Sequence, residues 1–151
     1  MCSARVRRRL LVSVGIQESP TEQSMEILRY RSAHEKALFA AIKKDANWAL
    51  FTSDGAIDNY RKALKKSITF VCFDKSEFCG YLRALLDDGF AVYISELYVV
   101  PECRNRTIGR SLIAQVKKEF DSLTVYALSD EDAYYEKLGF TRIGSVFEVS
   151  A

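Results

Sequence analysis

From Met25 onward the apolar positions recur with a period that switches between two and about 3.6 residues, and each switch marks a change between strand and helix. Met25 to Tyr30 alternates as a strand does. Ser32-x-x-Glu35 is a capping-box pattern, opening a predicted helix with Ala33, Ala37, Leu38, Ala41 and Ile42 on its apolar face. A second helix is expected after Asp54, with Ile57, Tyr60 and Leu64 inward. Lys62, Lys65 and Lys66 lie toward its negative end and read as a solvated face. Ser67 to Phe73 and Glu77 to Leu86 form a predicted hairpin around Asp74-Lys75-Ser76. Asp87-Asp88-Gly89 then turns the chain into a long strand, Phe90 to Val99.

Helical spacing returns with Ile108, Leu112, Ile113, Val116 and Phe120. Leu123 to Leu128 is a short strand, and Ser129-Asp130-Glu131-Asp132 caps a last helix that Gly139 closes. Phe140 to Val149 supplies one or two final strands. The pattern predicts an α/β chain with a largely antiparallel sheet and no internal repeat.

The first 24 residues stand apart. Arg5, Arg7, Arg8 and Arg9 precede Leu10 to Ile16, and Gln17 to Ser24 is polar. A charged start before an apolar run mimics a secretory signal, but the run spans only about seven residues and no small-x-small site follows. The segment reads as an extension, residues 1–24, that adds a strand to a sheet edge or reaches a second subunit. The working domain is placed at 25–151. A basic nucleic-acid arm is the sharper and less economical reading.

The chemistry concentrates at Val99-Val100-Pro101-Glu102-Cys103-Arg104-Asn105-Arg106-Thr107-Ile108-Gly109-Arg110. An apolar strand runs into a basic turn that opens directly into a helix. A helix start leaves about four N–H groups without partners and carries a positive partial charge, so this terminus suits a phosphate. Some thirty residues on comes Ala133-Tyr134-Tyr135-Glu136-Lys137-Leu138-Gly139-Phe140. With both stretches together, from about Phe90 to Phe140, the chain resembles the GNAT-type N-acetyltransferase superfamily. Members carry Leu-x-Val-x-Pro, here Leu97 to Pro101, then Arg/Gln-x-x-Gly-x-Gly/Ala, here Arg104 to Gly109. A Tyr-Glu-Lys-x-Gly-Phe helix end follows, here Tyr135 to Phe140. The family usually has glycine at the position of Thr107 and often at that of Asn105. Asn visits the left-handed region readily, whereas β-branched Thr107 does so at a cost, although its hydroxyl is able to donate to a phosphate oxygen.

The resemblance implies a single-domain α/β (α+β) acetyltransferase fold, with six or seven mostly antiparallel strands and about four helices. It implies acetyl-CoA as co-substrate, lying along Leu97, Tyr98 and Val99 with its pyrophosphate on Arg104, Asn105, Arg106, Thr107, Ile108, Gly109 and Arg110. It also implies transfer to a primary amine by direct attack in a ternary complex. Such chemistry needs a deprotonated amine, a polarised thioester carbonyl and a proton for the departing thiolate. The family's proton donor corresponds to Tyr135. Tyr134 is the alternative, but adjacent helical residues point about 100° apart and only one can face a given sulfur. Glu96, on the face of Tyr98, is the candidate general base, with a surface glutamate as the alternative. The preferred acceptor is a small-molecule amine. A protein terminus or lysine, and a non-catalytic CoA-binding or interaction module, are the other readings.

Composition narrows this only at the margins. A chain of 151 residues makes one domain with a proper core, and a net charge of +2 does not argue for nucleic acid. No run reaches the ~18 apolar residues of a membrane span. Cys2, Cys72, Cys79 and Cys103 show no C-x-x-C spacing, and His34 is the one histidine, so no metal site is expected. Free thiols in a reducing cytoplasm, and a monomer or homodimer without membrane partners, complete the expectation.

Overall fold

The computed structural model describes residues 25–150, so the expectations for 1–24 lie outside the described residues. One sheet is built from β1 (Met25–Arg29), β2 (Ile68–Asp74), β3 (Glu77–Asp87), β4 (Ala91–Val99) and β5 (Thr124–Ala127), side by side in chain order. The first four strands pair antiparallel, and β4 pairs with β5 in parallel. Residues 68–72 are buried without alternation, because both faces of β2 are covered by helices. The β2–β3 hairpin turns at Lys75 and Ser76, which have φ of 48° and 71°. Two consecutive left-handed residues are what a tight two-residue turn between twisted strands requires.

α1 (Glu35–Ile42), α2 (Ala49–Thr52) and α3 (Ala56–Lys66) cover one face, and α4 (Ile108–Glu119) covers the other. α5 (Asp132–Lys137) follows β5. On the α4 side Ile108, Leu112, Ile113 and Val116 pack on Phe70, Leu82 and Ile94. On the opposite side Leu38, Phe39, Ile42 and Leu64 pack on Val71, Tyr81 and Tyr98. Each fully buried Leu or Ile contributes roughly 1.5–3 kcal/mol. The two cores fix the sheet between them.

Four expectations change. Ser32–His34 is a 3-10 turn rather than the first turn of α1, and the predicted Ser32/Glu35 box does not form. The Arg31 N–H donates instead to His34 Nδ1 at 3.1 Å, a local bond that an imidazole offers at the same three-residue spacing. α2 lies in a stretch where no helix was expected. Residues 141–150 form no strand, so the sheet has five strands among the described residues rather than six or seven. Ile143, Val146, Phe147 and Val149 are exposed, and among the described residues β5 has no partner strand on its outer edge. Gly139 does close α5, with φ of 84° and its N–H donating to the Glu136 carbonyl, whereas Glu131 precedes α5 without a side-chain cap.

Within the α1/α3 core the hydroxyls of Tyr60 and Tyr81 stand 2.5 Å apart. Burial pushes both phenols up, and the Glu96 carboxylate raises Tyr60 further. In the unfolded chain these groups titrate near 10, while the fold holds their protons to higher pH. Their stabilising contribution is therefore complete below about pH 10 and is lost as pH climbs through the folded-state values. Thermal melts between pH 8 and pH 11 should show the midpoint falling steadily above pH 10. A flat midpoint across that interval would contradict the burial of the pair.

Candidate active site

β4 and β5 run together only from Ala91↔Thr124 to Ile94↔Ala127, and the last backbone bond between them joins the Leu128 N–H to the Ile94 carbonyl. The register of β3 on β4 slips by one residue between Arg83↔Glu96 and Ala84↔Ile94, which leaves Ser95 as the extra residue of a bulge. Beyond the bulge β4 stays on β3 and leaves β5. The Val100 N–H donates to the Cys79 carbonyl on β3. Alternation of an antiparallel ladder then turns the Val99 N–H and carbonyl the other way, toward the opening. Gly80 makes the close approach of β3 possible here: a Cβ on it would stand 2.4 Å from the Tyr98 carbonyl oxygen.

The turn from Pro101 leads to the start of α4 through two left-handed residues, Asn105 with φ of 62° and Thr107 with φ of 63°. Thr107 is the N-cap residue and its side chain makes no capping bond. Arg104 Nε donates to the Val99 carbonyl at 3.1 Å, and Arg106 pairs with Asp74 at the end of β2. Arg110 is exposed in the first turn of α4, where Ile108 and Gly109 are buried. All three arginines are exposed, and Arg104 and Arg106 also shape the loop through these bonds.

Of the tyrosine pair, Tyr134 reaches the start of α4. A Cβ on Gly109 would stand 2.2 Å from the Tyr134 hydroxyl and 3.6 Å from Leu97 Cδ2, so the glycine makes room for that ring. The Tyr135 ring meets it edge-on, with centroids 5.2 Å apart, and packs on the α4-side core. Burial, followed by the Tyr134 phenol and the carboxylates of Asp130 and Glu131, pushes the Tyr135 phenol up to about 12.

Leu97 and Val99 are half-buried on the α4 side of the sheet, whereas the Tyr98 side chain lies in the opposite core. Glu96 shares that face and is 8% exposed, so it is no surface glutamate. Arg83, directly across on β3, holds both of its carboxylate oxygens, Oε1 at 2.6 Å from Nη2 and Oε2 through Nε. The Tyr60 hydroxyl donates to Oε2 at 3.5 Å. Arg83 is a residue the sequence reading missed. The predicted hairpin and following strand carried the signal, since a cross-strand charge pair follows once their register is known.

On the α1 side, where β4 ends, lies an open cavity of about 610 Å³ lined by Ala37, Ala41, Asp45, Phe78, Tyr98 and Cys103 among others. Burial raises the Tyr98 phenol, the Asp45 carboxylate raises it further, and the Arg104 guanidinium opposes them ahead of the smaller push from Glu102. The cavity and the opening along residues 95–99 meet at the end of one strand, on its two faces.

A model of the family described as an acetyltransferase (GNAT) domain matches residues 20–150. An N-acetyltransferase of Pyropia yezoensis, named ycf52 and described as uncharacterised, is 29% identical over 72 residues, covering 44% of this chain and 41% of that protein. The chain thus matches about two fifths of that relative's length. Among solved structures, the aminoglycoside N-acetyltransferase AAC(6')-Iy in complex with CoA superposes with a TM-score of 0.71 at 16% identity, over 89% of this chain and 99% of that one. The PaiA N-acetyltransferase of Thermoplasma acidophilum, in complex with coenzyme A, superposes with a TM-score of 0.60 at 15% identity, over 79% of this chain and 91% of that one. At such identities the likeness is one of fold. Among the described residues no helix is long and apolar enough to cross a membrane, and no group of three potential metal ligands occurs.

Proposed function

The chain belongs to the GNAT acetyltransferase family, and from that premise we propose that it transfers an acetyl group from acetyl-CoA to the primary amine of a small molecule, by direct attack in a ternary complex. The observation that carries this reading is the parting of β4 from β5 beside the start of α4. A pantetheine arm suits the open edge of β4, where the Val99 N–H faces a thioester carbonyl and polarises it as charge builds on oxygen. The pyrophosphate suits the N–H groups at residues 104–110, with Arg110 as a solvent-facing cation. Bound there, acetyl-CoA supplies the acyl group and a thiolate leaving group.

Tyr135 holds a proton for that thiolate. Glu96 acts mainly through Arg83, by keeping the bulged end of β4 in shape. Deprotonation of the amine is left to water in the cavity by Tyr98, where Asp45 and Glu102 favour a cationic acceptor. That the two solved relatives carry CoA, and that one is named for aminoglycosides, supports the small-amine reading over a protein acceptor. The expected setting is the cytoplasm.

The test is calorimetric titration with CoA, followed by a screen of amines and peptides with acetyl-CoA that reads thiol release. Saturable binding that weakens as salt rises is expected, because the phosphate contacts are partly electrostatic. Absence of binding at millimolar CoA would sink the proposal.

Thr107 gives a second test. Its left-handed backbone costs roughly 1–2 kcal/mol relative to an ordinary conformation, so Thr107→Gly should raise the melting temperature of the free protein. If its hydroxyl bonds a phosphate oxygen, the same change weakens CoA binding by about 1–2 kcal/mol, the scale of a hydrogen bond to a charged group. Thr107→Val keeps the strain and loses the hydroxyl, and should weaken binding without the gain in stability. Tighter CoA binding by Thr107→Gly would assign the residue to strain alone.

A further inference from the structure

Two thiols that the reaction does not use meet where the anion loop begins. Cys79 Sγ and Cys103 Sγ are 3.1 Å apart, although 24 residues separate them in the chain. The backbone sets this approach. The Cys79 carbonyl accepts from the Val100 N–H at 2.9 Å, and the Val100 carbonyl accepts from the Cys103 N–H at 2.9 Å, so the Pro101–Cys103 turn folds back onto β3. A disulfide has its sulfurs at about 2.05 Å, about 1 Å closer than these stand.

Access to the pair is one-sided. Cys103 is half-buried and lines the open cavity, while Cys79 is 1% exposed. Cys72, 0% exposed, is the third thiol among the described residues; burial pushes it up to about 11 and Cys79 up to about 12, so position beside the Cys103 sulfur, not acidity, singles out Cys79. A dissolved oxidant therefore meets Cys103 first and finds Cys79 directly behind it. Arg106 Nη1 is 4.0 Å from the Cys103 sulfur and ties the same turn to Asp74.

We propose that Cys79 and Cys103 are a reversible oxidation site, closed by a low-molecular-weight disulfide of the glutathione class, that latches the Pro101–Cys103 turn to β3 and displaces the loop at 104–110. The Cys103 thiolate attacks one sulfur of the small disulfide, forming a mixed disulfide and releasing one small thiol. Cys79, giving up its proton, then attacks the Cys103 sulfur and expels the second. The two protein thiols are oxidised, the small disulfide is reduced to two thiols, and the two protons end on them. Asn105 and Thr107 already sit in the left-handed region, so the loop has little backbone freedom with which to absorb the shift. The effect on CoA rests on the reading of that loop as the pyrophosphate site, while the bond itself does not.

The experiment treats the full chain with oxidised glutathione and follows intact mass and a non-reducing peptide map. The expected product is two hydrogens lighter than the reduced protein, with the Cys79 and Cys103 peptides joined. Cys79→Ser should stop at a glutathione adduct on Cys103, Cys103→Ser should leave Cys79 unmodified, and Cys72→Ser should behave as the parent. A lasting adduct on Cys103 of the parent chain, or a linkage through Cys72 or Cys2, overturns the proposal. CoA binding should be several-fold weaker in the oxidised form and return with dithiothreitol. Equal affinity in both forms would overturn the displacement of the loop. If the reduced form fails to bind CoA, the reading of the loop fails, and the mass and peptide map still decide the bond.

Discussion

Tyr135→Phe is expected to lower turnover about 100-fold while leaving the fold and CoA affinity intact. General acid assistance is worth about 10²–10⁴-fold. The lower end applies because the Tyr135 phenol, pushed up to about 12, is a weak acid beside a thiol of about 8.5. It stabilises the departing sulfur by donating a hydrogen bond more than by surrendering its proton. The same raised value keeps the phenol protonated throughout the usual assay range, so the ratio of parent to variant rates should stay constant from pH 7 to pH 10. Tyr134→Phe should be mild, since that hydroxyl sits against Gly109 at the start of α4. A damaging Tyr134→Phe beside a silent Tyr135→Phe would reverse the assignment. If both are silent, the thiolate leaves unaided and the rings only pack.

Arg83→Leu is expected to be the most destabilising single change near the site. The side chains of Arg83 and Glu96 are 13% and 8% exposed, and removing one partner of a buried pair costs about 3–5 kcal/mol because the other charge stays behind. The double variant Arg83→Leu/Glu96→Leu should recover most of that loss in a urea titration. Its activity then separates two roles for Glu96. A folded and active double variant makes the carboxylate a support for β4, whereas a folded and inactive one, together with a Glu96→Gln variant whose rate recovers at high pH, makes it the base.

How much of this was legible in the sequence follows from how local each signal is. The hairpin at Lys75-Ser76, the turn at Gly89 and the cap at Gly139 are written in a few adjacent residues, and each appears where the pattern put it. The α4 stripe was equally clear, because Ile108, Leu112, Ile113 and Val116 all face one core. Ser32/Glu35 misled because the turn starts one residue earlier, with Arg31 as the cap and its N–H donating to His34 Nδ1. Phe140 to Val149 has strand composition, but composition does not provide a partner. Glu96 was placed on the correct face, yet its burial depends on Arg83, Tyr60 and the bulge at Ser95, which only the assembled sheet brings together. The approach of Cys79 to Cys103 depends likewise on a bond from Val100 across two strands.

Among the described residues the outer edge of β5 has no partner strand and the segment after α5 exposes several apolar side chains, a combination that would make each copy a donor and an acceptor if that segment paired as a strand. Symmetry decides what such a molecule does with a neighbour. Reciprocal donation between two copies satisfies both edges and closes a two-fold pair. Donation in one direction leaves an edge at one end and a tail at the other, and growth then continues without limit.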